Sequence, residues 1–418
     1  MAEETGYYWA NGEPPPTIHI HSLAKHRVLE RYLFRYVEIL AADPRMPALR
    51  IDIVDGFSGG GIYTRADTNE LWMGSPLIFL QTLEAVAAKI NLTRKNEFHI
   101  DARFFFIEEK RENIGFLKKL LHEKGYGSRL GEDIFCIQGN FEDNHEKIIN
   151  LIKEKSKSGR SIFLLDQYGY KDVPLAVLAK IFSTLKNAEV LLTFAAERLL
   201  DFLNPSEAYR SMLDRMGFNQ FDPDSIEAIR TQPVWRFFIQ AELSRHLHLG
   251  SAAKFFTPFF IRSRESNRAY WFVHLSMRAR AHDEMVKVHW NFHNHFVHYG
   301  GAGFRMLGYD PDKDFEITGR REFAFDETAQ AMTISALVED LGTFIHDHPD
   351  GIKFSSIIEE NANDAPGSSV EFQEAIMMLK SLKDIEIKTT TGGTRREVTQ
   401  ISGDDIIMPS KQTRLIFD

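Results

Sequence analysis

The sequence is poor in cysteine, in long apolar runs and in net positive charge, and each scarcity excludes a class of protein. Cys136 is the single cysteine among 418 residues, which rules out an internal disulfide and a cysteine-rich zinc site. No apolar run reaches the roughly 18–20 residues that span a bilayer, and no signal-peptide pattern opens the chain. The net charge is −9, so no overall basic field favours nucleic acid. We expect a cytoplasmic protein without a membrane segment.

The residues that are present describe a folded protein of more than one domain. Hydrophobic residues make up 43% of the chain and aromatic residues 12%, enough for a sizeable core. A length of 418 residues predicts two or three domains.

Short apolar runs alternate with amphipathic segments over the first half of the chain. This alternation predicts a doubly wound, Rossmann-like α/β sheet. The predicted strands are 50–54, 104–107, 134–137, 161–165 and 189–194. The predicted helices are 22–40, 76–90, 111–124, 142–155 and 174–186.

The alternation ends near residue 197, and two further regions follow. Residues 198–248 indicate a helical insertion, and 254–262 with 269–277 predict a long β-hairpin that extends the sheet. Helices near 331–347, 353–360 and 369–383, followed by a hairpin around Gly392 and Gly393, resemble a winged-helix module. We therefore predict a core at 1–197, its extension at 198–329 and a winged-helix-like domain at 330–418.

A glycine-rich turn follows the first predicted strand of the sheet. The pattern Asp55-x-Phe57-x-Gly59-x-Gly61 lacks the Gly-Lys-Ser/Thr of a phosphate-binding P-loop. It is close to the first motif of S-adenosylmethionine (SAM) methyltransferases, in which Asp55 would hold the methionine amino group. Glycines also let the backbone approach a ligand closely. The alternative is a purely structural turn.

Polar residues follow the other predicted strands at the same sheet edge. Glu108 could accept hydrogen bonds from two ribose hydroxyls, because an ionised carboxylate is an acceptor only. Asn140 could pair with the adenine edge, and Phe141 could supply an apolar wall. The bland alternatives are a solvated loop carboxylate for Glu108 and an ordinary Gly-Asn turn for Asn140.

Asp166 and Tyr168 are the candidate catalytic residues, in a loop that follows strand 161–165. Asp166 could hold an amine nucleophile in line with a methyl group, and Tyr168 could stack on a planar substrate. The alternative is a strand-ending aspartate in a tight turn, with Tyr168 serving only to pack.

Five sequence motifs together resemble the bacterial three-Cys-motif partner proteins. The motifs are His21 to His26, Val54 to Gly61, Gly74-Ser75-Pro76, Phe106-Ile107-Glu108 and Leu165 to Gly169. The resemblance implies a methyltransferase-like Rossmann domain and a gene-neighbour partner with three cysteines, similar to radical-SAM proteins, in mobile or defence-associated loci. The chain departs from the family at Gln167, where a proline is usual, and this puts substrate positioning in doubt.

Two further features suggest sites that we do not assign. His289 and His293 would share a helix face and could bind a metal, but no carboxylate lies among residues 285–308 and aromatic residues interleave. We therefore predict no metal site. Residues 341–418 hold eight Lys and Arg against thirteen Asp and Glu, which favours docking to a protein at least as much as binding to DNA.

These observations support three functional hypotheses of different classes. The leading one is a SAM-dependent methyltransferase-like protein that acts with a partner, with nucleic acid as the favoured substrate. The second is a non-catalytic Rossmann-like scaffold with a regulatory tail. The third, weaker hypothesis is a metal-dependent nuclease that uses Asp55, Glu108 and Asp166.

Overall fold

A computed structural model describes most of the chain, in two compact units. The described residues are 7–18, 20–155, 160–168, 171–195, 199, 206–218, 235–262, 269–292, 297–298, 323–324, 326–391, 393 and 400–410. Contacts divide the chain into Met1–Glu284 and Met285–Asp418. The three-part division at residues 197 and 329 stays a prediction.

The first unit is built on one seven-stranded sheet. Its strands are β2 (Ala48–Asp55), β5 (His99–Glu108), β6 (Ile134–Gln138), β7 (Ser161–Leu165), β8 (Ala188–Phe194), β9 (Phe255–Arg262) and β10 (Ala269–Ser276). Their order across the sheet is β6-β5-β2-β7-β8-β10-β9. The first five are parallel, and β10 and β9 are antiparallel to their neighbours. The predicted Rossmann-like α/β fold and the predicted hairpin are confirmed.

Helices between the parallel strands cover the sheet. They are α1 (Ile20–Leu40), α2 (Ser75–Asn91), α3 (Arg111–Glu123), α4 (Phe141–Lys155) and α5 (Leu175–Thr184), and α6 (Glu207–Met216) and α7 (Trp235–Ser251) follow β8. The parallel strands read as apolar runs because both faces of the sheet are covered. Phe104, Phe105, Phe106 and Ile107 on β5 are accordingly all buried.

The strand order places a switch point between β2 and β7. From β2 the chain builds outward through β5 and β6 on one side, and then through β7 and β8 on the other. Ligands of such sheets bind in the crevice beyond the carboxyl ends of the strands at this point. Asp55 ends β2 and Asp166 directly follows β7, so both lie at the switch point.

A small second sheet brings the N-terminal segment to the glycine-rich turn. Its strands are β1 (Thr17–Ile18), β3 (Ile62–Arg65) and β4 (Leu71–Met73), in the order β1-β3-β4. β3 begins directly after Gly61, and β1 pairs with it in parallel. Residues 7–16, the described residues that precede β1, are thereby held near the turn. These three strands were not predicted from the sequence.

The second unit contains a helical group with a three-stranded sheet. The described elements are α8 (Ala279–Asn291), which begins in the first unit, β11 (Val297–His298), β12 (Phe323–Ala324), α9 (Glu327–His346), β13 (Ile352–Lys353), α10 (Phe354–Asn361), α11 (Ser369–Ser381), β14 (Ile385–Lys388) and β15 (Ile406–Pro409). Ser368 and Glu371 form a capping box at the start of α11. β14 pairs with β15. Residues 394–399, in the second half of the predicted hairpin, lie outside the described residues, and the winged-helix assignment stays a prediction.

The described ranges contain neither a membrane-spanning helix nor a cluster of metal ligands. There, no helix is long and apolar enough to cross a membrane. Nor do any three His, Cys, Asp or Glu side chains of the described part of the chain lie together as metal ligands would. His293, one of the two histidines considered as metal ligands, lies outside the described residues.

Two arginine–aspartate pairs bridge β2 and β5 in swapped orientation. Asp52 lies opposite Arg103, and Arg50 lies opposite Asp101. The Arg103 Nε atom donates to Asp52 Oδ1 at 2.6 Å, and both side chains are largely buried. The Arg50–Asp101 pair, at 3.2 Å, is 67% and 41% exposed. Burial should therefore make the first pair far more sensitive to loss of one partner.

We expect Arg103→Met to lower the free energy of unfolding by about 3–5 kcal/mol, because Asp52 would stay buried without its counter-charge. Arg50→Met, the matched exposed control, should cost about 0–1 kcal/mol. Urea unfolding followed by circular dichroism measures both. The double variant Asp52→Asn with Arg103→Met should recover much of the loss. Equal effects of Arg103→Met and Arg50→Met would contradict this account.

Candidate active site

The glycine-rich turn is tied to the strands on both sides of β2. The Gly56 amide donates to the Leu164 carbonyl of β7 at 2.9 Å. The Ser58 amide and hydroxyl both donate to the Ile107 carbonyl of β5, at 2.9 and 3.1 Å. Gly59 and Gly61 have φ angles of +57° and +83°, a region that favours glycine. The turn is therefore a fixed platform at the switch point.

Asp55 is the most buried ionisable group of this edge. Its side chain has no exposed surface, and its Oδ1 atom accepts a 3.2 Å hydrogen bond from the Phe57 amide. Its Oδ2 atom has no hydrogen-bond partner among the described residues. Burial raises the pKa of Asp55 to about 7, although Ser75 and the Phe57 amide act to lower it. The carboxylates of Asp166 and Glu108 raise the pKa further.

Glu108 connects the turn to the start of α3. Its Oε2 atom accepts from the Gly59 amide at 3.0 Å. Its Oε1 atom accepts from the Lys110 amide at 2.9 Å and from Asn113 Nδ2 at 3.2 Å. A carboxylate offers about four acceptor positions, so about one remains for a further donor. Glu108 is thus a structural tie as well as the predicted ribose contact.

Asp166 is paired with a lysine that the sequence analysis did not assign to the site. Lys25 Nζ on α1 lies 2.5 Å from Asp166 Oδ1, and Lys25 is itself largely buried. Burial opposes ionisation of Asp166, but the charge and hydrogen bond of Lys25 outweigh it, and the pKa lies below its usual value. Asp166 is therefore ionised. The one sequence signal for Lys25 was its place in the His21 to His26 motif.

His26, next to Lys25, is held neutral. Burial lowers its pKa to about 4, which the nearby Asp166 opposes and Lys25 reinforces. Its Nδ1 atom accepts a 3.0 Å hydrogen bond from Trp72 Nε1, so the ring must carry its proton on Nε2. In the described part of the site, one buried cation, Lys25, therefore faces the carboxyl groups of Asp166, Glu108 and Asp55.

The loop after Asp166 is held by the residue that departs from the family pattern. Gln167 is buried, and its Oε1 atom accepts from the Asp172 amide at 3.0 Å. Tyr168 is 48% exposed. The hydrogen bond from the Asp172 amide to Gln167 thus helps to shape this loop. Gly169 and Tyr170 lie outside the described residues.

Asn140 and Phe141 lie where β6 gives way to α4. The Asn140 Oδ1 atom accepts from the Asp143 amide at 2.7 Å, and its Nδ2 atom donates to Asp143 Oδ2 at 2.7 Å. This is the geometry of a helix N-cap. Phe141 is buried, and a Cβ on Gly56 would meet its ring at 3.1 Å. Both residues have clear structural roles, and their contact with adenine stays a prediction.

Trp9 lies directly against the glycine-rich turn. A Cβ built on Gly60 would come within 2.3 Å of its ring, and one on Gly59 within 2.7 Å. Trp9 Nε1 donates to the Ile62 carbonyl, and the Trp9 amide donates to Asn113 Oδ1 at 3.1 Å. The absence of side chains at 59 and 60 therefore makes room for an indole in this structure. The sequence analysis missed this contact.

An aromatic cluster continues from Trp9 over the same edge. The ring centroids of Trp9 and Tyr63 are 5.1 Å apart, and those of Tyr7 and Tyr63 are 5.2 Å apart. Burial raises the pKa of Tyr63 well above its usual value, and the carboxylates of Asp166, Asp55 and Glu108 add to the effect. These three carboxylates, which end or follow three different strands, are thus brought together around one buried ring.

Comparisons with known proteins give only distant likenesses. No family model and no curated protein matches the chain. Among solved structures, the methyltransferase domain of METTL16 aligns at 11% identity and a TM-score of 0.26, over 59% of this chain and 66% of that domain, just under two thirds. A putative SAM-dependent methyltransferase from Methanococcus maripaludis aligns at 14% identity and 0.26, over 62% and 91%. The likenesses are too slight to identify a reaction, substrate or partner.

The raised pKa of Asp55 predicts a pH-dependent stability. Because the folded state holds this proton up to about pH 7 and the unfolded state releases it near its model value of 3.8, stability falls as the pH rises between them. Asp55→Asn removes the titration. We expect the variant to unfold at a higher temperature than the wild type above pH 7, with the difference shrinking toward pH 4.

Differential scanning calorimetry of both proteins across this range measures the difference. Asp101→Asn is the control. It changes the exposed pair at the opposite end of the strands and should show no such pH-dependent difference from the wild type. If the wild type were more stable than Asp55→Asn above pH 7, the claim that Asp55 is buried and holds a proton up to about pH 7 would be wrong.

Proposed function

We propose that the first unit binds S-adenosylmethionine at the switch point between β2 and β7 and serves methyl transfer. One observation supports this above the others. A wholly buried carboxyl group, Asp55, ends β2 with one oxygen that no described residue satisfies. Isolated buried carboxylates are costly and are normally matched by a cation or by hydrogen bonds. An α-ammonium group would supply both.

The carboxyl group fits an ammonium ligand by charge as well as by geometry. Burial holds the pKa of Asp55 near 7, so the unliganded site is partly protonated at neutral pH. A bound ammonium would favour the ionised form, because an opposite charge nearby lowers the pKa of a carboxyl group. The neighbouring carboxylates of Glu108 and Asp166 also favour a cationic ligand over a neutral or anionic one.

Glu108 can bind fewer ribose hydroxyls than the sequence suggested. Three hydrogen bonds already occupy this carboxylate, so we propose that it accepts one ribose hydroxyl and not two. Asn140 and Phe141 remain the proposed adenine contacts. Phe57, Gly59 and Gly61 complete the proposed cofactor-binding set through the turn. A ligand that approaches Gly59 and Gly60 from the side of Trp9 must displace that ring.

The residues after β7 would position the methyl acceptor. SAM, when bound, supplies an electrophilic methyl group on a sulfonium centre. Asp166, kept ionised by Lys25, can accept a hydrogen bond from an amine and orient its lone pair. The exposed ring of Tyr168 can stack on a planar acceptor, with a stacked base worth about 1–3 kcal/mol.

The finer context rests on motif resemblance alone. A partner with three cysteines, a nucleic-acid acceptor and a place in bacterial defence are implied by the family that the motifs resemble. We propose them as the first candidates to test, in that order. The winged-helix-like reading of the second unit belongs with them, as a surface for DNA or for a protein.

A non-catalytic scaffold is the second candidate, and two contacts favour it. Lys25 already occupies one oxygen of Asp166, and Trp9 already covers the glycines of the turn. Both contacts would also hold together a core that no longer performs chemistry. Binding of cofactor without transfer, with the partner present, would support this candidate.

Titration calorimetry with SAM and S-adenosylhomocysteine tests the binding half of the proposal. We expect saturable binding of both, weakened at least tenfold by Asp55→Ala, because the ammonium loses its counter-charge. A tenfold loss corresponds to about 1.4 kcal/mol. Glu108→Ala should also weaken binding, although part of that loss will come from a loosened turn. Asp101→Ala, an exposed carboxylate at the other end of β5, should bind as the wild type does.

The opposite result is clear-cut. A wild type that is folded by circular dichroism yet shows no heat of binding with either ligand would sink the proposal. The scaffold candidate would then take its place. Equal affinity in Asp55→Ala and wild type would move the cofactor away from the switch point.

A charge-matched double variant tests the catalytic half. Asp166→Asn alone leaves Lys25 buried without a counter-charge, so Lys25→Met is combined with it. We expect the double variant to bind SAM within a few-fold of wild type and to transfer methyl groups about 10²-fold more slowly or worse. Transfer from labelled SAM to bulk RNA, DNA or the partner is the readout. Undiminished transfer would remove Asp166 from the reaction.

A further inference from the structure

A cavity lies at the opposite edge of the sheet from the glycine-rich turn. It has a volume of about 360 Å³ and is bounded by α1, by the starts of β7 and β8, and by residues 278–284. β7 has five residues, or about 17 Å at 3.3 Å per residue. Arg160, which precedes β7, is therefore separated from Asp166 by about the length of the strand. The cavity does not belong to the proposed cofactor site.

The carboxylates of this cavity are already committed. Glu189 accepts from Tyr32 at 2.5 Å and from His274 Nε2 at 3.0 Å, and all three side chains are buried. Glu284 is paired with Arg35 at 3.4 Å. Both carboxylates therefore already have partners within the protein.

Of the three arginines that line this cavity, only Arg278 forms a side-chain hydrogen bond with a described residue. Arg278 donates twice to Asn187 Oδ1, at 3.3 and 3.0 Å. Arg160 and Arg280 also line the cavity, and neither guanidinium forms a hydrogen bond or ion pair with any residue that the structure describes. Arg160 is half-buried and Arg280 is exposed. A guanidinium presents a planar set of donors that matches carboxylates and phosphates.

The rest of the lining is apolar or aromatic. Tyr32 and Tyr36 form one wall, and Ile39, Leu40, Ala188 and Ala281 add aliphatic surface. Burial raises the pKa of Tyr36 above its ordinary range, and the nearby Glu189 adds to the effect while Arg160 opposes it. Tyr36 therefore presents a neutral phenol. The volume lies within the range of small-molecule sites, about 300–1,000 Å³.

We propose that this cavity binds a small organic acid, with its carboxylate or phosphate on Arg160 and Arg280 and its body against Tyr32 and Tyr36. The aromatic wall suits a planar body, and because Glu189 and Glu284 already have partners, the two arginines are left to select an anion. The proposal is independent of the cofactor assignment.

Phenyl phosphate and benzoate are the test ligands, and benzamidine and benzyl alcohol are the cationic and neutral controls. Saturation-transfer NMR titrations of the full chain measure binding. We expect saturable binding of at least one acid and much weaker binding of both controls. Tighter binding of phenyl phosphate assigns phosphate monoesters, and tighter binding of benzoate assigns carboxylic acids.

Variants locate the site. Arg160→Met with Arg280→Met should weaken binding of the preferred acid at least tenfold, and Arg31→Met, an exposed arginine of α1 outside the cavity, should change it less than about twofold. Circular dichroism verifies that each variant is folded. The proposal is overturned if neither acid saturates, if a control binds as tightly, or if the double variant binds like the wild type.

Discussion

The carboxyl group of Asp55 is wholly buried at the end of β2, the middle one of the five parallel strands, and the organisation of the sheet edge follows from that constraint. Its neighbours β5 and β7 deliver Glu108 and Asp166 to the same region. Among the described residues of this edge, one buried cation, Lys25, offsets them, and it is bonded to Asp166. Asp55 is left to hold a proton or to meet a cation from outside. A site that is short of positive charge is suited to a ligand with an ammonium and a sulfonium group.

The strand ends were predictable because each is marked by a pattern of adjacent residues. An apolar run that closes on an acidic residue marks a buried parallel strand and the edge at which it stops, and Asp55, Glu108 and Asp166 all lie there. The helices between them follow from amphipathic periodicity. The antiparallel pair β9 and β10 was also readable, because two long apolar runs flank a polar segment. Short strands such as β3 and β4 carry too few residues for such a pattern.

Side-chain contacts across the edge were not predictable in the same way. Lys25 and Asp166 are 141 positions apart, and Trp9 is 51 positions from Gly60, which it covers. Neither pairing leaves a local period in the sequence. The glycines were interpreted as room for a ligand, whereas the structure fills part of that room with an indole. Asn140 was interpreted as an adenine contact because it follows a strand, yet the same position also suits an N-cap, and the structure shows that bonding.

Proton linkage tests the central claim, that Asp55 exchanges its proton for a bound ammonium. Titration calorimetry of S-adenosylhomocysteine near pH 7, in buffers with different ionisation enthalpies, counts the protons that move on binding. Because the pKa of Asp55 lies near 7 and an ammonium lowers it, binding should release a fraction of one proton. The release should shrink as the pH rises above 7, because Asp55 is then already ionised. Binding near pH 7 without proton release, or with uptake, would contradict the account.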